Sequence, residues 1–193
     1  MKIPLYTIGH GNRSSEIFAE LLRQYTIAFL VDIRSQPYSR YAPQFSQTAL
    51  VQRLAQQNIH YLFLGDLLGG RPADETCYVN GHVDYARVRE KAFFRQGIAR
   101  LRTAWEKQLR VAIMCSEAKP QECHRSKLIG NVLSEQHIEV AHIDELGVLK
   151  TQQELNLQLS DGQLPLFSDL PLVETAGKIG RSRKTYALLT KEM

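Results

Sequence analysis

Short apolar runs alternate with segments of helical period along residues 1–146, and few architectures accept that order. Leu5–Ile8, Ile27–Ile33, Ile59–Leu64, Val111–Met114 and Ile138–Ile143 are aliphatic and aromatic enough to read as strands. Between them, Ile17, Phe18, Leu21 and Leu22 recur every three to four residues behind Ser14-Ser15-Glu16, and Leu50, Val51 and Leu54 do the same behind Ser46. Asp84 to Gln108 carries Phe93, Phe94, Ile98, Leu101 and Trp105 on one side and reads as helix, with Gly97 as the point of interruption. Ser126–Ser134 is a further helix, whereas Gly65, Gly69, Gly70 and Pro72 predict irregular structure over Gly65 to Gly81. Strands that alternate with helices specify an α/β fold: a mostly parallel sheet with helices on both faces.

This core domain ends near residue 146, and residues 147–193 form a short C-terminal extension of different character. Asn156 to Phe167 suggests a hairpin around Ser160-Asp161-Gly162, and Lys178 to Lys184 a basic, turn-prone tail, the two packed on the core. The chain of 193 residues has 24 Lys and Arg against 20 Asp and Glu, a charge of +4 that favours anionic partners without establishing nucleic-acid binding. No apolar run approaches the roughly 20 residues that cross a bilayer, and Met1-Lys2-Ile3-Pro4 leads straight into a strand. The expected setting is therefore cytoplasmic, without a membrane partner. Cys77, Cys115 and Cys123 are an odd number and read as reduced thiols. Nothing in the sequence fixes the oligomeric state.

In a parallel sheet, residues just past the strands share a crevice at the carboxyl edge. Here that edge receives His10 and Asn12, Asp32 and Arg34, Asp66, Cys115, and Asp144 with Glu145. The sharpest local motif is Cys115-Ser116-Glu117-Ala118-Lys119-Pro120-Gln121-Glu122-Cys123-His124-Arg125, a strand exit returning into a helix start. Backbone N–H groups there, with Arg125, suit an anion or an activated thiol. Cys115 is the candidate nucleophile or pocket thiol, and His10 or His124 the proton carrier, oriented by Glu117 or Asp32. Arg34, Arg125, Asn12 and Arg40 complete the substrate-binding set, with Asp32 either orienting a base or paired internally with Arg34. Arg125 stands ten positions beyond Cys115, which disfavours the short cradle of tyrosine phosphatases.

Two other uses of these atoms stay open. Cys115, Cys123 and His124, with His10 or Cys77, offer a mixed thiolate and imidazole set for zinc, although no paired Cys-x-x-Cys is present. Tyr38, Arg40 and Tyr41, and in the tail Lys178, Arg181, Arg183 and Lys184, offer stacking and phosphate contacts for nucleic acid. The glycines of Leu64 to Pro72 match neither the dinucleotide-binding pattern nor the P-loop, so no cofactor is expected.

Thr7-Ile8-Gly9-His10-Gly11-Asn12, Val31-Asp32-Ile33-Arg34-Ser35, the glycine-rich Leu64 to Gly70 and Cys115 through Arg125 together resemble a widespread bacterial family known mainly as a domain of unknown function, over roughly residues 3 to 146. The resemblance implies a compact α/β protein and brings no reaction with it. It points to His10, Asp32, Arg34, Cys115, Glu117, Cys123, His124 and Arg125 as the positions to test, and it leaves the basic residues of the extension without an inherited role. The leading expectation is an enzyme acting on a small anionic or nucleotide-like substrate in a crevice lined by His10, Arg34 and Cys115. A non-catalytic nucleic-acid-binding module and a zinc-binding protein are the alternatives.

Overall fold

The computed structural model describes residues 2–159. In chain order, β1 (Leu5–Gly9), α1 (Ser15–Gln24), β2 (Phe29–Asp32), α2 (Gln47–Ala55) and β3 (His60–Phe63) are followed by the single turn α3 (Gly65–Leu68). A small hairpin of β4 (Tyr78–Val79) and β5 (His82–Val83) leads to α4 (Tyr85–Glu90) and α5 (Ala92–Glu106). Then come β6 (Val111–Cys115), a π-helical turn over Arg125–Gly130 that runs into α6 (Asn131–Glu135), β7 (Val140–Ile143), β8 (Leu149–Thr151) and α7 (Gln152–Leu159). Among the described residues no helix is long and apolar enough to cross a membrane.

The main sheet has the order β3-β2-β6-β1-β7-β8, with every pair parallel except the edge pair β7 and β8. Its α/β class is the one expected. Side chains alternate across a strand, and the alternation sorts the core into two halves. Leu5, Val31, Val111, Ile113 and Val140 meet Leu68, Phe94, Ile98, Leu101, Leu128 and Leu133 on one face. Tyr6, Ile8, Leu30, Ala112, Met114 and Ile143 meet Phe18, Leu22, Phe45, Leu50 and Leu54 on the other. Helices therefore cover both faces, which is why the strands are apolar almost throughout.

Strand order also opens the crevice. β1 and β6 are neighbours, with Gly9 beside Cys115 in register. From β1 the chain turns to α1 on one face and proceeds toward β2, whereas from β6 it turns to the π-helical segment on the opposite face and proceeds to β7. Connections that diverge from adjacent strands leave a gap at their carboxyl ends, the usual place for a ligand in an open α/β sheet.

Several local expectations change. The helix over 84–108 is interrupted at Lys91, between α4 and α5, and not at Gly97, which lies inside α5. There the missing side chain admits Leu68, since a Cβ at Gly97 would stand 2.6 Å from the Leu68 side chain. Gly65 to Gly81 is more regular than its glycines suggest, holding α3, a 3₁₀ turn over Glu75–Cys77 and all of β4. The helix expected over Ser126–Ser134 begins as a π-turn. Asn156–Leu159, the start of the expected hairpin, is helical within α7, and the remainder of that hairpin with Lys178 to Lys184 lies outside the described residues.

Candidate functional site

Cys115 is the last residue of β6, and Cys123 closes a 3₁₀ turn that Pro120 starts. The loop between them lies directly on the end of β1. His10 N–H donates to the Cys115 carbonyl at 3.1 Å and Gly11 N–H to that of Ser116 at 2.9 Å. This approach needs Gly9, because a Cβ there would stand 1.7 Å from the Glu117 carbonyl oxygen. The result is a buried sulfur pair: both cysteines are 1% exposed and their Sγ atoms are 2.7 Å apart.

Arg125 sits under this pair, fully buried at 0% exposure. Its Nη1 donates to Cys115 Sγ at 2.8 Å and to the Glu117 carbonyl, and its Nη2 donates to the Ala118 carbonyl at 2.9 Å. Two of its nitrogens are thus spent on one loop and one sulfur, and no described carboxylate pairs with it. Cys123 donates to Glu117 Oε2 at 3.1 Å and lies 3.5 Å from His124 Nδ1. Burial, followed by the adjoining Cys115 sulfur, pushes the Cys123 thiol up. Burial also pushes the Glu117 carboxyl up, but several smaller effects, led by the hydrogen bond from Cys123, together outweigh it and leave the group below its ordinary range.

The thiols open onto a cleft of about 410 Å³ whose wall includes Arg34, Arg71, Tyr85, Glu117 and His124. Arg34 is held in place by Asp32: Nε donates to Oδ1 at 2.9 Å, Nη2 to Oδ2 at 2.6 Å, and the Arg34 N–H to Oδ1 at 3.0 Å. Tyr61 adds its hydroxyl to Asp32 Oδ2 at 2.8 Å. Asp32 therefore orients Arg34 and bonds no histidine, and Arg34 Nη1 is left for the cleft. Burial draws His124 below the usual imidazole range, and it raises the Tyr85 phenol, with the charges of Cys123 and Glu117 adding to the effect.

His10 belongs to an adjoining cleft of about 510 Å³, which it lines with Asn12, Tyr41, Ser116 and Glu117. Its ring stacks on Phe45 at 4.5 Å, Nδ1 bonds the Gly11 carbonyl at 3.0 Å, and Nε2 is buried without a hydrogen-bond partner. Burial lowers its pKa first, ahead of the opposing Gly11 contact. Of the candidate residues, the structure gathers Cys115, Glu117, Cys123, His124 and Arg34 on one cleft, places His10 and Asn12 on the next, and buries Arg125 beneath. Arg40 is exposed on the loop between Tyr38 and Tyr41, which line the first and second cleft respectively. Asp66 is exposed, and Asp144 serves its own turn by accepting from the N–H groups of Leu146 and Val148.

Arg71, Tyr61 and Tyr85 were absent from the candidate residues. The signal for Arg71 was its place directly behind Gly69-Gly70; the tyrosines carried none. A second polar group, equally unforeseen, lies beneath the site. His142 bonds Thr7 Oγ1 at 2.8 Å and Gln152 Oε1 at 2.9 Å, and Gln152 continues to Asn131 and Asn156.

Cys115, Glu117 and Cys123 bring one donor atom each within 4.8 Å of the others, so they could hold a metal ion. Sulfurs bound to one tetrahedral zinc at about 2.3 Å stand about 3.8 Å apart. Holding zinc would therefore require this 2.7 Å pair to separate by about 1 Å. A family model described as domain of unknown function DUF488 matches residues 14–133. Neither curated proteins nor solved structures give a match.

Proposed function

The chain belongs to the DUF488 family of domains of unknown function, and from that premise and the geometry of the cleft we propose that it is a thiol enzyme acting on a small anionic substrate. The observation that carries this reading is Arg125. A guanidinium removed from water is costly unless a counter-charge or a full set of acceptors compensates it. Neutral carbonyls take part of its donor capacity, and the remaining contact is Cys115 Sγ at 2.8 Å. Negative charge on that sulfur completes the pairing, and an anionic sulfur is the nucleophilic form of cysteine.

The division of labour follows. Arg34, braced by Asp32, and Arg71 on the facing segment supply the cations for a substrate anion. Cys115 attacks the electrophilic atom held over it, and His124 stands at the same wall as a neutral imidazole able to exchange a proton. Arg125 acts through Cys115 and does not reach the substrate, unlike its expected role as an anion ligand.

Two alkylating agents of similar size, anionic iodoacetate and neutral iodoacetamide, test the reading at Cys115 by peptide mass spectrometry. Arg34 and Arg71 should raise the iodoacetate-to-iodoacetamide rate ratio several-fold above that of free cysteine, and Arg71→Ala should reduce it. A ratio equal to that of free cysteine contradicts an anion-binding cleft. The donor geometry of Cys115, Glu117 and Cys123 supports a metal-binding protein as the second reading. In that case a chelator would unmask the two thiols toward iodoacetamide, whereas the thiol-enzyme reading expects the same rate with and without chelator.

A further inference from the structure

We propose that Cys123 is the resolving thiol of Cys115, so that the pair passes between dithiol and intramolecular disulfide with a hydroperoxide as the two-electron oxidant. This deepens the thiol-enzyme reading and rests on it, since it needs Cys115 as the attacking sulfur. The two sulfurs are 2.7 Å apart with nothing between them. Closing to a bond of about 2.05 Å requires a smaller movement than spreading to the about 3.8 Å of a tetrahedral metal site. The bridge would span only the loop 116–122, where Ser116, Glu117 and Lys119 are exposed and Pro120 alone is buried. The third cysteine, Cys77, is buried in the 3₁₀ turn ahead of β4 and has no sulfur neighbour among the described residues.

The remaining groups fit the two half-steps. In the first, the anionic Cys115 sulfur attacks the terminal oxygen of ROOH; an S–O bond forms, the O–O bond breaks, and the departing alkoxide leaves as ROH by taking from solvent one proton, equal to the one Cys115 gave up on ionising. Cys115 is then a sulfenic acid. In the second, Cys123 Sγ attacks the oxidised Cys115 sulfur; the S–S bond forms and the S–O bond breaks. The Cys123 proton passes to Glu117, whose Oε2 it already faces at 3.1 Å, and from there to the departing hydroxide, which leaves as water. The sum is two thiols and ROOH giving one disulfide, ROH and water, with both electrons drawn from the sulfur pair.

Hydrogen peroxide added in equal amount to the full chain tests this, with dimedone present or absent and free thiols alkylated before peptide mass spectrometry. The expected result is a Cys115–Cys123 link, short of two hydrogens, within one chain. In Cys123→Ser the reaction should stop at a dimedone adduct on Cys115. A wild-type chain that accumulates the Cys115 adduct without the link overturns the resolving role and leaves the nucleophile standing. Links formed only between two chains overturn the intramolecular pairing. Thiols that are not consumed at all overturn both the pairing and the proposed function.

Discussion

A single buried guanidinium organises the chemistry of this site. Arg125 binds the loop that follows β6 and faces the sulfur that ends it, so one side chain both shapes the cleft and sets its polarity. Asp32 plays a comparable part for Arg34, at 0% and 5% exposure respectively. Removing the carboxylate in Asp32→Ala leaves a buried cation unpaired and should cost about 3–5 kcal/mol of stability, measured by urea unfolding. His142 is a further buried residue with a clear consequence. Burial, reinforced by the Arg125 charge, pulls its imidazole down to about 3. The unfolded chain, with an ordinary histidine near pH 6.5, then binds more protons than the folded one as the pH falls from about 6.5 to 3. Stability is therefore lost through that window, by about 2 kcal/mol at pH 5 from this residue. His142→Gln should flatten the loss without abolishing it, because burial depresses His10 and His124 as well; an unchanged pH slope would contradict the assignment. At this scale the sequence revealed the types of residue involved and, among their pairings, offered only that of Asp32 with Arg34. Cys115 and Asp32 stood out by their place at strand exits, and Arg125 by its place at a helix start. The two-residue spacing of Asp32 and Arg34 offered their ion pair as one of two readings, whereas the direct contact of Cys123 with Cys115 depends on a loop path that no local spacing encodes.

Among the elements, the end of β1 and the loop after β6 depend on one another. Gly9→Ala would drive a methyl group into the Glu117 carbonyl at 1.7 Å, and backbone cannot yield as a flexible side chain does. The expected cost is about 1–3 kcal/mol, with a changed alkylation rate at Cys115 because the loop that holds Arg125 must move. A Gly9→Ala protein with wild-type stability and wild-type Cys115 reactivity would refute this coupling. The parallel strands were legible because burial on both faces leaves apolar runs that no helix period explains. The exceptions arise from contacts distant in sequence. Gly97 stays inside a helix because Leu68 packs on it, and Lys91, paired with Asp74 at 2.9 Å, marks the real break. The π-turn at Arg125–Gly130 likewise follows from tertiary demand, since Gln152 Oε1 would lie 2.0 Å from a Cβ at Gly130 and the chain there must pass close to α7.

For the described molecule, strand order accounts for the location of the chemistry. β6 lies between β1 and β2, and its connection leaves on the face opposite to theirs; the thiol cleft lies past the ends of β2 and β6 and the His10 cleft past those of β1 and β6. The carboxyl edge was readable from the alternation of strands and helices; that β6 lies between β1 and β2 was not, and this order places Cys115 between Arg34, on its own cleft, and His10, on the next. In the proposed function Arg125 makes Cys115 the reactive thiol of this chain, and Cys77 supplies the internal control, being buried and pushed up chiefly by that burial. Iodoacetamide pulse-labelling of the folded protein at pH 7, resolved by peptide, compares the two directly in the wild type and in Arg125→Gln. Cys115 should react at least about tenfold faster than Cys77, and the advantage should disappear in a folded Arg125→Gln variant, a tenfold change corresponding to about 1.4 kcal/mol. Equal rates for the two cysteines, or a Cys115 advantage that survives the loss of the guanidinium, would contradict it.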